Sequence, residues 1–169
     1  MFSVGDKAVH PKHGAGVIES IEQEKVGGVV QNYYIFRMTV GAMTLKIPTR
    51  TAEQAGLRPL ISCQEADILI ADITAMTVDA DMNWSRRYRE NLEKLKSGDL
   101  RIIGGVIKEL VHRDWKKGLS TGERKILHAA RQMIVSELAM VKDIAPSEAE
   151  KILGRAVAVE RKEEVCSVQ

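Results

Sequence analysis

The residues best suited to chemistry in this sequence are a tryptophan and three arginines within one short stretch. Trp84 is followed by Arg86, Arg87 and Arg89 in "NWSRRYRENLEKL". Guanidinium groups bind phosphate oxygens, and an aromatic ring can stack on bases or insert between them. The stretch therefore predicts a surface that contacts nucleic acid. The alternative for Trp84 is burial in a core behind a charged helix face, and residue type alone leans towards burial.

Charge is segregated along the chain, although the formal net charge is only +2. Every charged side chain between residues 60 and 83 is acidic, whereas residues 84–131 hold thirteen Lys or Arg against six Asp or Glu. A basic stretch within a nearly neutral protein predicts one basic face. Arg124 and Lys125 belong to it, at the start of a second predicted helix. From charge alone, nucleic-acid binding and a solvated cationic face are both open.

Candidates for catalysis or metal binding are sparse. His10 and His13 form an HxxH pair without a third ligand nearby, which favours turn histidines over a metal site. His112 and His128 fall in predicted helices without an adjacent nucleophile and orienting carboxylate. We therefore expect no enzymatic activity, no cofactor and no bound metal.

The cysteines and the apolar runs indicate a compartment. Cys63 and Cys166 are far apart and match no metal-ligand spacing, which favours a reducing environment. The N-terminus lacks a signal-peptide core, and no apolar run has the length needed to cross a bilayer. These features predict a cytoplasmic protein with no membrane partner.

The hydrophobic period changes near residue 60. Residues 1–59 alternate in short runs separated by turns, including a two-residue hairpin signal at Gly27-Gly28, and predict a small antiparallel barrel or a strongly bent sheet. Residues 60–169 have helical periodicity and end in a tail predicted to be frayed. The fold class is therefore α+β, with a β module of residues 1–59 followed by a helical module of residues 60–169.

Local signals place the helix ends. Two Ser-x-x-Glu sequences predict capping boxes, Asn83 predicts an N-cap, Gly118 predicts a C-cap and Pro146 predicts a first helical residue; the boxes are Ser62–Glu65 and Ser120–Glu123.

Apolar spacing predicts which helix faces are buried. Three such stripes stand out, and a glycine pair at residues 104–105 inside a helix suggests close packing. The predicted stripes are Ile68, Leu69 and Ile73; Tyr88, Leu92 and Leu95; and Leu127, Ala130, Ile134 and Leu138.

Several motifs resemble the CarD family of bacterial transcription regulators, also called CdnL. The most specific are "NWSRRYRENLEKLKSGD" and "KKGLSTGERKILHAARQMIVSELA"; "VGDKAVHPKHGAGVIESIE" and "MTLKIP" match in the same order. The β half also resembles the RNA-polymerase-interacting module of the transcription-repair coupling factor. The helical half favours the CarD family, because coupling factors continue instead into helicase motor domains.

The resemblance implies a Tudor-like N-terminal module that binds the RNA polymerase β subunit, and a helical module that contacts promoter DNA. It implies that Trp84 wedges into the minor groove at the upstream fork of the transcription bubble, with little sequence specificity. It also implies that basic residues lie against the neighbouring DNA backbone. These are Arg86, Arg87, Arg89, Arg124 and Lys125.

The resemblance implies a polymerase-binding surface as well. It includes the hairpin residues Glu24, Lys25 and Val26 and the strand residue Lys46. Family members often have a basic residue at the position of Glu24, so this chain lacks one possible ion pair with the β subunit.

Two hypotheses for function follow. The first is a transcription regulator that binds polymerase and stabilises the promoter open complex. The alternative is a protein–protein adaptor whose basic helical face binds an acidic protein and does not contact DNA.

Overall fold

The computed structural model describes residues 1–78 and 84–158, with the side chains of Trp84 and Ser85 outside the described part. An antiparallel sheet occupies the N-terminal part and five helices follow it. The predicted α+β order is therefore confirmed. The predictions for Asn83 as an N-cap, for Cys166 and for the tail lie outside the described residues.

The sheet contains five strands in the order β4-β3-β2-β1-β5, and all of its pairings are antiparallel. The alternating runs predicted within residues 1–59 form the four longer strands, whereas the two-residue β5 was not predicted. The strands are β1 (Lys7–His10), β2 (Gly14–Val26), β3 (Val29–Met38), β4 (Thr44–Pro48) and β5 (Arg58–Pro59).

The β2–β3 hairpin turns at Gly27-Gly28, as predicted. Both glycines have positive φ, at 58° and 85°, and Val26 pairs with Val29 across the turn. A two-residue turn with two positive φ angles matches the twist of the strands and favours glycine. The register shifts between Ile18 and Ser20, an irregularity of the kind that bends a strand.

The β module has its own apolar core. Inward-facing side chains from four strands meet there, including Ile18, Tyr34, Phe36 and Ile47. Gly16 is required at its position, because a Cβ there would lie 2.4 Å from the carbonyl oxygen of Arg37. This close approach lets the Phe36 ring lie against the backbone of β2.

Predicted helix ends agree with the structure. Both capping boxes form, Gly118 is a C-cap, and Pro146 begins the last helix. The helices are α1 (Cys63–Ala75), α2 (Trp84–Lys96), α3 (Leu100–Lys117), α4 (Thr121–Lys142) and α5 (Pro146–Val157).

The helical core is built around α4. Ala130, Ile134 and Leu138 are fully buried along one face of this helix, as predicted, and Leu127 is partly buried. Among residues 1–78 and 84–158, no helix is long and apolar enough to cross a membrane.

The α1 stripe needs one correction. Leu69 and Ile73 are buried, but Ile68 is 53% exposed, because the third inward position of α1 is Ala66. Close packing at the glycine pair is confirmed for Gly104, where a Cβ would lie 2.4 Å from Ile73 Cδ1. At Gly105 the nearest atom would be 3.7 Å away, an ordinary contact.

The two modules are in contact along α4. The Ala15 N–H donates to Ser136 Oγ at 2.9 Å, and Arg58 pairs with Glu137. A Cβ on Gly14 would lie 2.3 Å from Ser136 Oγ, so β2 approaches the helix closely at that point. The division at residues 59 and 60 stays a prediction.

Candidate nucleic-acid interface

Three helix termini meet at one end of the helical module. Residues 97–99 turn α2 directly back into α3, so the start of α2 lies beside the end of α3. The start of α4 joins them, because a Cβ on Gly122 would lie 2.8 Å from the Tyr88 ring. We call this region the basic end and define it as residues 86–89, 113–117 and 120–125.

Glu123 holds the basic end together. Its Oε1 lies 3.1 Å from Arg87 Nη2 and 3.2 Å from Arg113 Nε, so one carboxylate joins α2, α3 and α4. Its Oε2 accepts from the Ser120 N–H at 3.0 Å, completing the capping box. The Glu123 side chain is 2% exposed.

Burial alone would raise the pKa of Glu123. The Ser120 N–H and the Arg87 guanidinium outweigh that effect and hold the pKa below its ordinary value. The carboxylate is therefore ionised at neutral pH and cancels part of the positive charge of two arginines.

Arg87 is placed differently from the other predicted DNA contacts. Its side chain is turned into the helical module and pairs with Glu123, with a relative exposure of 6%. Its neighbour Arg86 is exposed, because successive helix residues differ by about 100° around the axis. In this arrangement Arg87 positions α2 against α4, and its surface role stays a prediction.

The other four basic residues are exposed at the basic end. Arg86 Nε bonds Glu90 Oε1 at 2.8 Å, and Arg124 Nε donates to the Leu119 carbonyl at 3.4 Å. Arg89 and Lys125 make no ion pair with any residue in the described part of the chain. The structure therefore exposes Arg86, Arg89, Arg124 and Lys125 at the same end of the helical module.

The inward face of α2 is also as predicted. Tyr88, Leu92 and Leu95 pack on an apolar cluster formed by Val106 and its neighbours. Helix α2 begins at Trp84, but the direction of the Trp84 ring lies outside the described part of the chain. The wedge role of Trp84 stays a prediction.

Sequence reasoning missed the contribution of α3 to this end. Lys116 and Lys117 form its exposed last turn, beside the C-cap Gly118. Cations near a helix C-terminus interact favourably with the helix dipole, which is a structural reason for them. The sequence signal for this contribution was "KKG", two lysines directly before the predicted C-cap glycine.

The predicted polymerase-binding residues lie on the β2–β3 hairpin and the edge strand β4. Lys46 bonds Glu24, lies 3.4 Å from Glu22 and has its ammonium 5.4 Å from the centre of the Tyr33 ring. The hydrogen bond to Glu24 raises the pKa of Lys46. Glu24 and Lys46 are therefore already partners within this chain.

The tip of the same hairpin is apolar. Val26, Val29 and Val30 are 52%, 54% and 55% exposed. Lys25 alternates with Glu24 along β2 and therefore faces the opposite side of the sheet. The structure places Glu24 and Lys46 together but separates Lys25 from them.

The two N-terminal histidines come close together, although their position on a turn did not require it. The rings of His10 and His13 are 4.8 Å apart between centres. Within residues 1–78 and 84–158, no group of three His, Cys, Asp or Glu side chains could hold a metal ion.

Comparisons with known proteins identify the family. The model of the CarD C-terminal domain matches residues 69–154, and that of the CarD-like/TRCF RID domain matches residues 2–61. The chain belongs to the CarD family. It is also 33% identical over 144 residues to "Putative transcription factor YdeB" of Bacillus subtilis strain 168, covering 85% of this chain and 94% of that protein. This protein is therefore a CarD-like transcription factor with a Tudor-like β module.

Proposed function

We propose that this CarD-family protein binds the RNA polymerase β subunit through its β module and stabilises the promoter open complex through the basic end. The observation that carries the proposal is the convergence of three helix termini around Glu123. It supports the proposal because it places exposed cations from separate helices at the same end of the helical module.

The position of these cations within their helices supports an anionic partner. Arg86 and Arg89 lie in the first two turns of α2, and Arg124 and Lys125 lie in the first two turns of α4. A helix N-terminus carries partial positive charge and disfavours cations. DNA phosphates would relieve this local repulsion.

Trp84 is proposed to act as the wedge. Inserting a ring at a base step requires unstacking, and the step at the bubble edge is already partly unstacked. The ring therefore binds melted DNA better than closed DNA, and such a difference shifts the equilibrium between the two. A preference of about 1.4 kcal/mol changes the ratio of open to closed complex about tenfold.

On the polymerase side, Lys46 is proposed as the principal charged contact, with Val26 supplying apolar surface. Glu24 competes with polymerase for Lys46, because the two side chains are bonded within the chain. We expect Glu24→Ala to raise the affinity for the β subunit and Lys46→Ala to lower it. If Glu24→Ala lowers the affinity instead, Glu24 is itself a polymerase contact.

The lifetime of the promoter open complex tests the whole proposal. We expect Trp84→Ala to shorten the lifetime in the presence of this protein, with Trp84→Phe retaining more of the effect. Retention of the variant on polymerase must be measured in parallel. A folded, polymerase-bound Trp84→Ala variant with an unchanged lifetime would contradict the wedge.

Backbone contacts have a separate signature. Arg124→Ala and Lys125→Ala should each lower DNA affinity for any sequence and reduce the slope of log K against log salt by about 1. Lys151→Ala is the matched control, because Lys151 is an exposed cation paired with Glu148 on α5.

The adaptor alternative predicts a different outcome. If the basic end binds an acidic protein, a photocrosslinker near Trp84 in a promoter complex will label protein and leave DNA unlabelled. A DNA adduct supports the proposed function.

A further inference from the structure

The second tryptophan of the chain is exposed at the basic end. Trp115 is 63% exposed, on the last turn of α3. Tryptophan is usually well buried, because its large ring gains most from leaving water. The centre of the His112 ring, on the same helix, lies 6.3 Å from that of Trp115.

The exposure of Trp115 follows from the length of α3. The last fully buried residue of the helix is Leu110, and residues 114–117 all project beyond the core. The ring therefore lies on a helical turn that makes no contribution to the core. Replacing it should leave the fold intact.

The surroundings of Trp115 are basic. Lys116 and Lys117 follow it directly and Asp114 precedes it, and all three side chains are exposed. An apolar ring beside two exposed lysines suits an anionic, aromatic ligand better than an apolar protein surface.

We propose that Trp115 stacks on an unpaired base of single-stranded DNA, while Lys116 and Lys117 contact the flanking phosphates. This inference rests on the proposed function and adds a second aromatic contact for the melted strand. Stacking on an exposed ring needs an accessible base face, which a single strand offers and a closed duplex hides. Every base has such a face, so little sequence preference is expected.

Fluorescence tests the contact directly. The chain has two tryptophans, so Trp84→Phe leaves Trp115 as the single indole reporter. At low salt we expect a single-stranded oligonucleotide to quench its emission saturably, with weaker quenching by a duplex of the same sequence. Binding seen by anisotropy of a labelled single strand without quenching, or equal quenching by both DNAs, overturns the inference.

Affinity gives a second measurement in the otherwise unchanged protein. We expect Trp115→Ala to weaken single-strand binding about tenfold and Trp115→Phe to weaken it much less. Lys151→Ala is again the control. Unchanged affinity in Trp115→Ala overturns the inference, even where Arg124→Ala weakens DNA binding and the proposed function holds. Absence of DNA binding by the unsubstituted protein overturns both.

Discussion

Glu123 and Glu137 are two buried carboxylates on the same helix, 2% and 1% exposed, yet they hold different parts of the molecule together. Glu123 joins three helices at the basic end. Glu137 joins the β module to α4 by accepting two bonds from Arg58, each of 2.8 Å, and one from the Ile61 N–H at 3.0 Å.

The partners differ more than the glutamates do. Arg58 is 35% exposed, so its guanidinium can reach water if Glu137 is removed. Arg87 is 6% exposed and has no comparable route to solvent. The contribution of a buried ion pair therefore depends on where the remaining partner can go, because an uncompensated buried charge is the costly product.

Glu123→Ala should have the largest effect on stability. It leaves Arg87 buried without this carboxylate and also removes half of the α4 capping box. We expect the free energy of unfolding to fall by about 3–5 kcal/mol, measured by urea denaturation.

The matched control for this variant is Glu93→Ala, because Glu93 is exposed in a helical pair with Lys96. This control should change stability by less than about 1 kcal/mol. Equal losses in the two variants would show that burial of Arg87 does not govern the cost.

Glu137→Ala should have a smaller effect, about 2 kcal/mol, because Arg58 becomes hydrated. The loss should be concentrated at the contact between the modules, with faster hydrogen exchange at the Ile61 amide, which donates to Glu137. Arg58→Lys keeps the charge but loses the two-bond geometry, and it should give an intermediate loss. A loss larger than that of Glu123→Ala would reverse the comparison.

Of these two carboxylates, only Glu123 had a role predicted from the sequence, as part of a capping box. The Ser120–Glu123 capping box is a local signal, so its position and partners on α4 follow from spacing. The pairing of Glu137 with Arg58 joins residues 79 positions apart, and no local pattern indicates it. Burial of Arg87 was missed for a related reason, since an arginine is normally expected outside.

The candidate site was likewise predictable where local patterns determine it and not where tertiary contacts do. The helical positions of Arg86, Arg89, Arg124 and Lys125 came from local spacing and charge. Their position at the same end of the helical module depends on the α2–α3 turn and the Tyr88 contact with Gly122, which are tertiary features. The bond between Glu24 and Lys46 likewise needs the register of two neighbouring strand pairs.

The two modules should lose stability in different pH ranges. Burial, then His13 and Lys12, lowers the pKa of His10 to about 4, so the folded β module binds this proton less well than the unfolded chain does. Stability then falls as pH drops from about 6.5 towards 4. The pKa of Glu123 is lowered as well. Its ionised carboxylate contributes fully to stability above the ordinary pKa of glutamate, and this stabilisation is lost only at more acidic pH.

His10→Asn should therefore reduce the loss of stability between pH 7 and pH 5. In the unsubstituted protein the Lys12 N–H donates to His10 Nδ1 at 3.2 Å, and the asparagine side chain keeps an acceptor for this N–H. Because the ring is partly exposed, we expect a difference of about 1 kcal/mol, less than full linkage gives. The melting temperature at both pH values measures it, and His128→Asn, an exposed change on α4, is the control. Identical pH profiles for His10→Asn and the unsubstituted protein would contradict this assignment.

Arg86→Ala should change stability least and sharpen the contrast with Arg87. Its pair with Glu90 is 74% and 36% exposed, and the cation lies near a helix N-terminus, so the expected loss is at most about 0.5 kcal/mol. If the proposed function holds, the same variant should weaken DNA binding and reduce its salt slope by about 1. Lys96→Ala removes an exposed cation from the other end of α2, and it should match the small stability change without altering that slope. Equal salt slopes in the two variants would mean that the position of a cation on α2 does not affect DNA binding. That result would contradict the assignment of the DNA contact to the basic end.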